Sequence, residues 1–460
     1  MSLRIEAILG SLSDCGPEAR FVLETIARSS SIGRGEGAQH YRSKLLAKHL
    51  HMTEGTVNAA LREMVAAGVV ERLESAAAGR GRPTITYQVA QQSLAAMESQ
   101  QNTHALYSAH LQLLFSGADF PTEVLGAQSS PRRKRAIVTK HGKPAPPGAR
   151  NRLSICNRLL LGVLLASADK FGVVRCLSNL RLRQLTGLDS ESLSHRLRRL
   201  RGIGLIRSYV PGVTSSIFRA KKINSTYFLN LNHSGYGLDD TGAVLVHLLP
   251  QFKIQNDIFD VLCWDVRAFR NSHQLKRPET PKAVFEFLVH EPRRVFDFLR
   301  LAIYQCASEL LSRHWWDLPS DSKGDYGWLR DRFETLLNPP ADNGGEDVKC
   351  AKTWQEVTSH FCRLVVVIAK AYRSRFGTAD WIGFDSVQMC ILPVFQREGD
   401  DVFTLLIQPR PIGLSRCTLL GEQSRGKLDI KEWETELDMP LDYRFSCGLL
   451  TPPARRLLKR

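Results

Sequence analysis

The sequence predicts a mainly α-helical protein with small β-elements. Two copies of one short helical unit, each closed by a two-stranded hairpin, precede a C-terminal α+β domain of no recognised fold. Three observations lead there. Residues 43–72 and 179–208 align without a gap at an offset of 136 residues. In both copies apolar residues recur at helical spacing and give way, after a glycine, to β-type residues. Between Pro131 and Lys222 the chain carries 21 Lys and Arg against three acidic residues, so this stretch accounts for the whole net charge of +16.

Each element of the repeat has a mechanical reading. Val57, Leu61 and Met64, and in the second copy Leu193, Leu197 and Leu200, stand at i, i+4 and i+7 and form one apolar stripe on a helix. A short turn precedes each helix and carries one apolar residue, Met52 or Leu188, that fills the angle between two helices. A capping residue follows at once, Thr53 or Asp189. Gly68 and Gly204 fall where a left-handed helix end belongs. Val69 to Leu73 and Thr84 to Val89 then read as paired strands, as do Leu205 to Val210 and Thr226 to Leu231. Helix, tight turn, helix, glycine and strand make a helix-turn-helix layout, with the second helix (53–67 or 189–203) able to enter a major groove.

These residues carry a resemblance. Residues 41–89 resemble the winged helix-turn-helix of bacterial regulators of the MarR and GntR type, through Leu46-Ala47, Thr56-Val57, Leu61, Gly68-Val69-Val70 and Gly79-Arg80-Gly81-Arg82-Pro83. Residues 157–231 resemble the same superfamily through Leu185-Thr186-Gly187-Leu188 and Gly204-Leu205-Ile206. The resemblance implies two winged helix-turn-helix domains in tandem, binding of double-stranded DNA, and transcriptional control. The expected organisation is a first such domain over 1–90, a connecting helix over 91–125, a basic Pro/Gly-rich linker over 126–152, a second domain over 153–233, and the α+β domain over 235–460. Two winged helices in one chain also resemble plasmid replication initiators, so replication initiation or partition of a mobile element is the alternative.

The expected DNA contacts follow from the faces opposite the apolar stripes. In the second copy these are Ser192, His195, Arg198 and Arg199, flanked by Arg196; arginine suits both guanine and phosphate. Arg219, Lys221 and Lys222 occupy the loop between the second pair of strands, and Arg80 and Arg82 the turn of the first. The first copy presents Gly55, Thr56, Ala59, Arg62 and Glu63, with Thr53 at the helix start; the small residues allow close approach, and alanine and threonine can contact thymine methyls. A solvated basic face is the plainer reading of the second copy, and a protein-contact surface that of the first. The Pro/Gly-rich linker of some 25 residues, spanning roughly 25–30 Å as a loose coil, would tether the copies over adjacent stretches of DNA.

Other classes are disfavoured. The longest apolar run, Leu159 to Ala166, is far shorter than a membrane span, and the N-terminus lacks a secretion pattern. A bacterial cytoplasmic, nucleoid-associated protein is expected, and the scattered cysteines fit a reducing compartment. Cys350, His360 and Cys362 lack the paired short spacings of a zinc site, and His314 beside Trp315-Trp316-Asp317 reads as an aromatic corner. No phosphate-binding loop or nucleophile elbow stands out. The expectation is therefore no enzyme, no cofactor and no metal. The partners expected are double-stranded DNA, with a homodimer and a small molecule or protein at the C-terminal domain left open. There, helical stretches at 251–270, 282–316 and 353–376 precede a hairpin of Ser386 to Phe395 and Asp401 to Gln408.

Overall fold

In the computed structural model the described residues are 4–32, 40–75, 83–99, 106–116, 153–175, 177–236, 242–249, 258–272, 280–318, 326–339, 347–379, 381–393, 402–422 and 428–450. The architecture is mixed α and β. It divides into two compact units: Met1–Ile206 with His233–Leu238, and Arg207–Asn232 with Asp239–Arg460.

The first unit opens with a 3-10 segment, Arg4–Leu12, and helices α1 (Pro17–Ile32), α2 (Ser43–Leu50) and α3 (Glu54–Ala66). The hairpin β1 (Val70–Ser75) and β2 (Thr84–Val89) follows, antiparallel with Val70 opposite Val89. Next come α4 (Gln91–Ser99), α5 (Ser108–Phe115), α6 (Ile155–Ala166), β3 (Val173–Val174), α7 (Asn179–Thr186) and α8 (Ser190–Gly202). The repeat is structural as well as sequential. Both ends of α2 and α7, and both ends of α3 and α8, are displaced by the same 136 residues. The caps Thr53 and Asp189 correspond, as do the left-handed residues His51 (φ 53°) and Gly187 (φ 69°) that turn the chain between helices. Gly68 (φ 69°) and Gly204 (φ 80°) end the second helix of each copy in the left-handed region, where glycine pays no Cβ penalty.

The two copies share one core. Helix α1 packs on both α3 and α6, and α5 on α6 and α1. Phe21 and Phe115 lie with ring centroids 5.3 Å apart, and a Cβ at Gly162 would fall 2.8 Å from the Phe115 ring. That close approach is why α6 carries a glycine in an otherwise leucine-rich run. Direct packing of α1 on α6 holds the two copies together, while the expected linker over 126–152 lies outside the described residues. The expected connecting helix is two helices, with Met97, Leu111, Leu114 and Phe115 buried in this unit.

The second unit starts within β4 (Ile206–Val210), at Arg207, and continues through β5 (Val213–Thr214), β6 (Lys222–Ile223) and β7 (Thr226–Leu229). Strand β8 (Ala243–Leu248) precedes α9 (Ile258–Ser272), α10 (Lys282–Leu288), α11 (Arg293–His314), α12 (Gly327–Leu336) and α13 (Asp347–Phe376). The chain closes with β9 (Gln388–Ile391), β10 (Val402–Gln408), β11 (Cys417–Glu422), β12 (Leu428–Trp433) and α14 (Leu441–Ser446). Five strands form one sheet in the order β12-β11-β8-β10-β9, with β8 and β11 parallel. The expected hairpin is β9 and β10, Ile391 opposite Leu405. The expected single helix over 282–316 breaks before Pro292, because a proline restricts the residue ahead of it and cannot continue a helical ladder.

One large core joins α9 to α13 to this sheet, and Val213, Ile217 and Phe218 from the 206–229 hairpin belong to it. Arg207 on β4 forms a fully buried ion pair with Glu436 at 2.6 Å, and Asn230 beyond β7 donates to the same carboxylate at 3.4 Å. These contacts are why the change of unit falls at Ile206–Arg207. No helix among the described residues is long and apolar enough to cross a membrane.

Candidate nucleic-acid interface

Helix α8 is set by its cap. The Asp189 carboxylate accepts from the Ser192 N–H at 2.8 Å and from the Ser192 hydroxyl at 2.9 Å. These bonds favour the charged form and hold the Asp189 carboxyl below its usual range. Helix α3 repeats the device with hydroxyls: the Thr56 N–H donates to Thr53 Oγ1 at 3.2 Å, and the two Oγ1 atoms lie 2.7 Å apart. Ser192, Thr53 and Thr56 therefore spend hydrogen bonds on the helix starts.

With Leu193 and Leu200 buried and Leu197 half-buried, α8 turns His195, Arg198 and Arg199 outward, all exposed. Neither Arg198 nor Arg199 makes an ion pair among the described residues. Arg196 is different. Its Nη1 donates to Ser154 Oγ at 3.1 Å and Asn157 Oδ1 at 3.4 Å, so it binds α8 back to the start of α6.

The first copy aligns with the second position by position. Ala59 corresponds to His195, Arg62 to Arg198 and Glu63 to Arg199. Ala59 and Arg62 are exposed, and at Gly55 an added Cβ would meet nothing within 4 Å. The Arg62 Nε returns to the Asn58 carbonyl at 3.2 Å. Glu63 accepts from the Gly16 N–H at 2.8 Å and so closes the start of α1 onto α3.

In the 215–222 loop, Arg219, Lys221 and Lys222 are all exposed. Arg219 is nonetheless tethered by its backbone N–H to the Leu336 carbonyl at 3.0 Å and by Nε to the Leu337 carbonyl at 3.3 Å. Lys221 takes a left-handed backbone (φ 48°), and its amide donates to the Phe218 carbonyl at 2.9 Å. Arg80, Arg82 and the cations of the 126–152 segment lie outside the described residues.

One basic surface escaped the sequence reading. Arg42, Lys44, Lys48, His49 and His51 on and around α2 are all exposed. Lys44 and Lys48 stand at i and i+4 just before the turn, a spacing visible in the sequence. In the second copy Leu180 and Gln184 stand in the matching places, and α7 carries instead Arg181, paired with Glu6, and an exposed Arg183. Among the described residues no three His, Cys, Asp or Glu gather closely enough to hold a metal ion. No protein-family description, curated protein or solved structure matches this chain.

Proposed function

We propose that this protein is a sequence-specific, double-stranded DNA-binding transcription regulator built on two tandem winged helix-turn-helix domains, with α3 and α8 as recognition helices. The observation that carries this reading is the exposed His195, Arg198 and Arg199 face of α8, in the one segment that holds the chain's entire net charge. Arg198 and Arg199 have the fork that pairs with guanine O6 and N7 or with a phosphate, and His195 can donate to either. Lys44 and Lys48 on α2 would take phosphates, the role of the first helix when the second lies in the groove. The β1–β2 and 206–229 hairpins would be the wings, with Lys221 and Lys222 on the backbone.

The test is selection of bound duplexes from a random library with the full-length protein, followed by footprinting of the enriched site. An enriched motif whose binding falls with Arg199→Ala supports the reading; recovery of unselected sequence overturns it. Genomic sites at promoters fit a regulator, whereas iterated sites at a replication origin fit the initiator alternative.

A further inference from the structure

The second unit holds a cleft of about 560 Å³ between the first turns of α12 and the middle of α13, lined among others by Tyr326, Arg330, Asp331, Ser359, Cys362 and Arg363. That volume lies within the range of small-molecule sites. One guanidinium comes from each helix. Arg363 is oriented from behind: its Nη2 lies 3.0 Å from His360 Nδ1. A guanidinium has no acceptor, so the buried imidazole must accept, which requires it to be neutral. Burial, aided by the Arg363 charge, lowers the His360 pKa to about 4 and keeps it so. The Arg330 guanidinium makes no ion pair among the described residues. Burial pushes the Cys362 thiol up to about 11, so it faces the cleft as a neutral group rather than a nucleophile. Two guanidiniums, two hydroxyls and one carboxylate in a concave space suit recognition of an oxyanion, not bond-making chemistry.

The far end of α12 is fastened to the 215–222 loop. The Asn338 N–H donates to the Ile217 carbonyl at 2.7 Å, and its Nδ2 to the Ser216 and Phe218 carbonyls at 2.7 and 3.1 Å. With the two Arg219 bonds, five hydrogen bonds join this loop to the end of the same ten-residue helix whose first turns line the cleft.

We propose that the cleft between α12 and α13 binds a small carboxylate- or phosphate-bearing molecule between Arg330 and Arg363, and that α12 passes its occupancy to the 215–222 loop. The binding half stands without the DNA-binding reading; only the consequence for DNA rests on it. The test uses the full chain with pyrophosphate and citrate as probes in isothermal titration. At least one probe should bind saturably, with the Kd raised about tenfold or more by Arg330→Gln and by Arg363→Gln, the loss of one charge-assisted contact. An Arg198→Gln, Arg199→Gln double variant should leave that Kd unchanged, which separates the cleft from the basic surface of α8. Absence of saturable binding by both probes, or Kd values indifferent to both cleft variants, overturns the site. Coupling is read by hydrogen exchange of the 215–222 amides: slower exchange with saturating probe, lost in Arg363→Gln, is expected, and unchanged exchange overturns the lever. Loss of DNA binding in every condition, with probe binding intact, would sink the regulator reading and leave this site standing.

Discussion

The buried guanidinium of Arg20 on α1 donates to the Gln184 carbonyl at the end of α7, joining the first copy of the repeat to the second. The same side chain donates to the carbonyls of Leu12 and of Cys15, the latter at 2.9 Å, so three segments meet on one cation that has no ion pair among the described residues. Arg20→Met keeps the bulk of the stem but takes the donor from the Gln184 and Cys15 carbonyls, while the Leu12 carbonyl keeps the Cys15 N–H. Its expected cost is about 1–3 kcal/mol, the range for a buried acceptor left unpaired. Urea denaturation checks it, and a loss under 1 kcal/mol would mean that water replaces the guanidinium.

The matched caps give a second expectation. Thr53→Ala should cost about 1 kcal/mol; Asp189→Ala should also lower stability, and Asp189→Asn much less, since asparagine also caps well. The Asp189 carboxyl is held below its unfolded value, so its contribution is complete above the unfolded pKa and fades as pH falls through the folded one. Denaturation midpoints of Asp189→Asn and the parent should therefore converge in acid. A gap constant down to the lowest folded pH would contradict this.

What sequence made legible here is what is local. The stripes, caps and left-handed glycines of the repeat depend on neighbours three or four residues away, and periodicity finds them. Pro292 was equally local and was simply overrun by a long apolar stretch. Arg196 and Glu63 could not be read the same way: their partners, Ser154, Asn157 and Gly16, lie some 40 residues off, and a charged residue on a helix flank looks outward until its partner is seen. The shared core of the two copies was hidden for the same reason. Helices α1 and α6 occupy matching places but have diverged in sequence, and nothing within either names the other as its neighbour.

The α8 arginines therefore separate by role. Arg199→Ala and His195→Ala should leave stability within about 0.5 kcal/mol of the parent, as exposed sites do, while weakening specific DNA binding by about 1–3 kcal/mol for any side chain that contacts a base. Arg196→Ala should instead lower stability through the Ser154 and Asn157 bonds. Lys221→Ala and Lys222→Ala should weaken cognate and random duplexes alike and reduce the salt slope. Denaturation and titrations at two salt concentrations on both duplexes give the comparison, and a uniform loss for all five variants would reduce α8 to a phosphate-binding surface.

In the second unit Glu436 answers two buried arginines, Arg207 by the 2.6 Å ion pair and Arg444 through a neighbouring charge. Burial lowers the Arg444 pKa and the Glu436 charge partly offsets it, so one carboxylate serves two cations. Removing that charge by Glu436→Gln leaves both cations enclosed, and breaking a buried pair costs about 3–5 kcal/mol. Because Arg207 and Asn230 hold the two long strands of the 206–229 hairpin to this carboxylate, the loss should fall first on the hairpin. Hydrogen exchange should thus show β4 and β7 deprotected well before β8 and β10, which pair with each other in the five-stranded sheet. An Arg207→Met, Glu436→Leu double variant removes one buried pair of charges together and should recover much of the stability, though Arg444 stays uncompensated. If the single and double variants lose the same amount, the pair is not what fastens the hairpin, and Ile217 and Phe218 in the core carry that task alone.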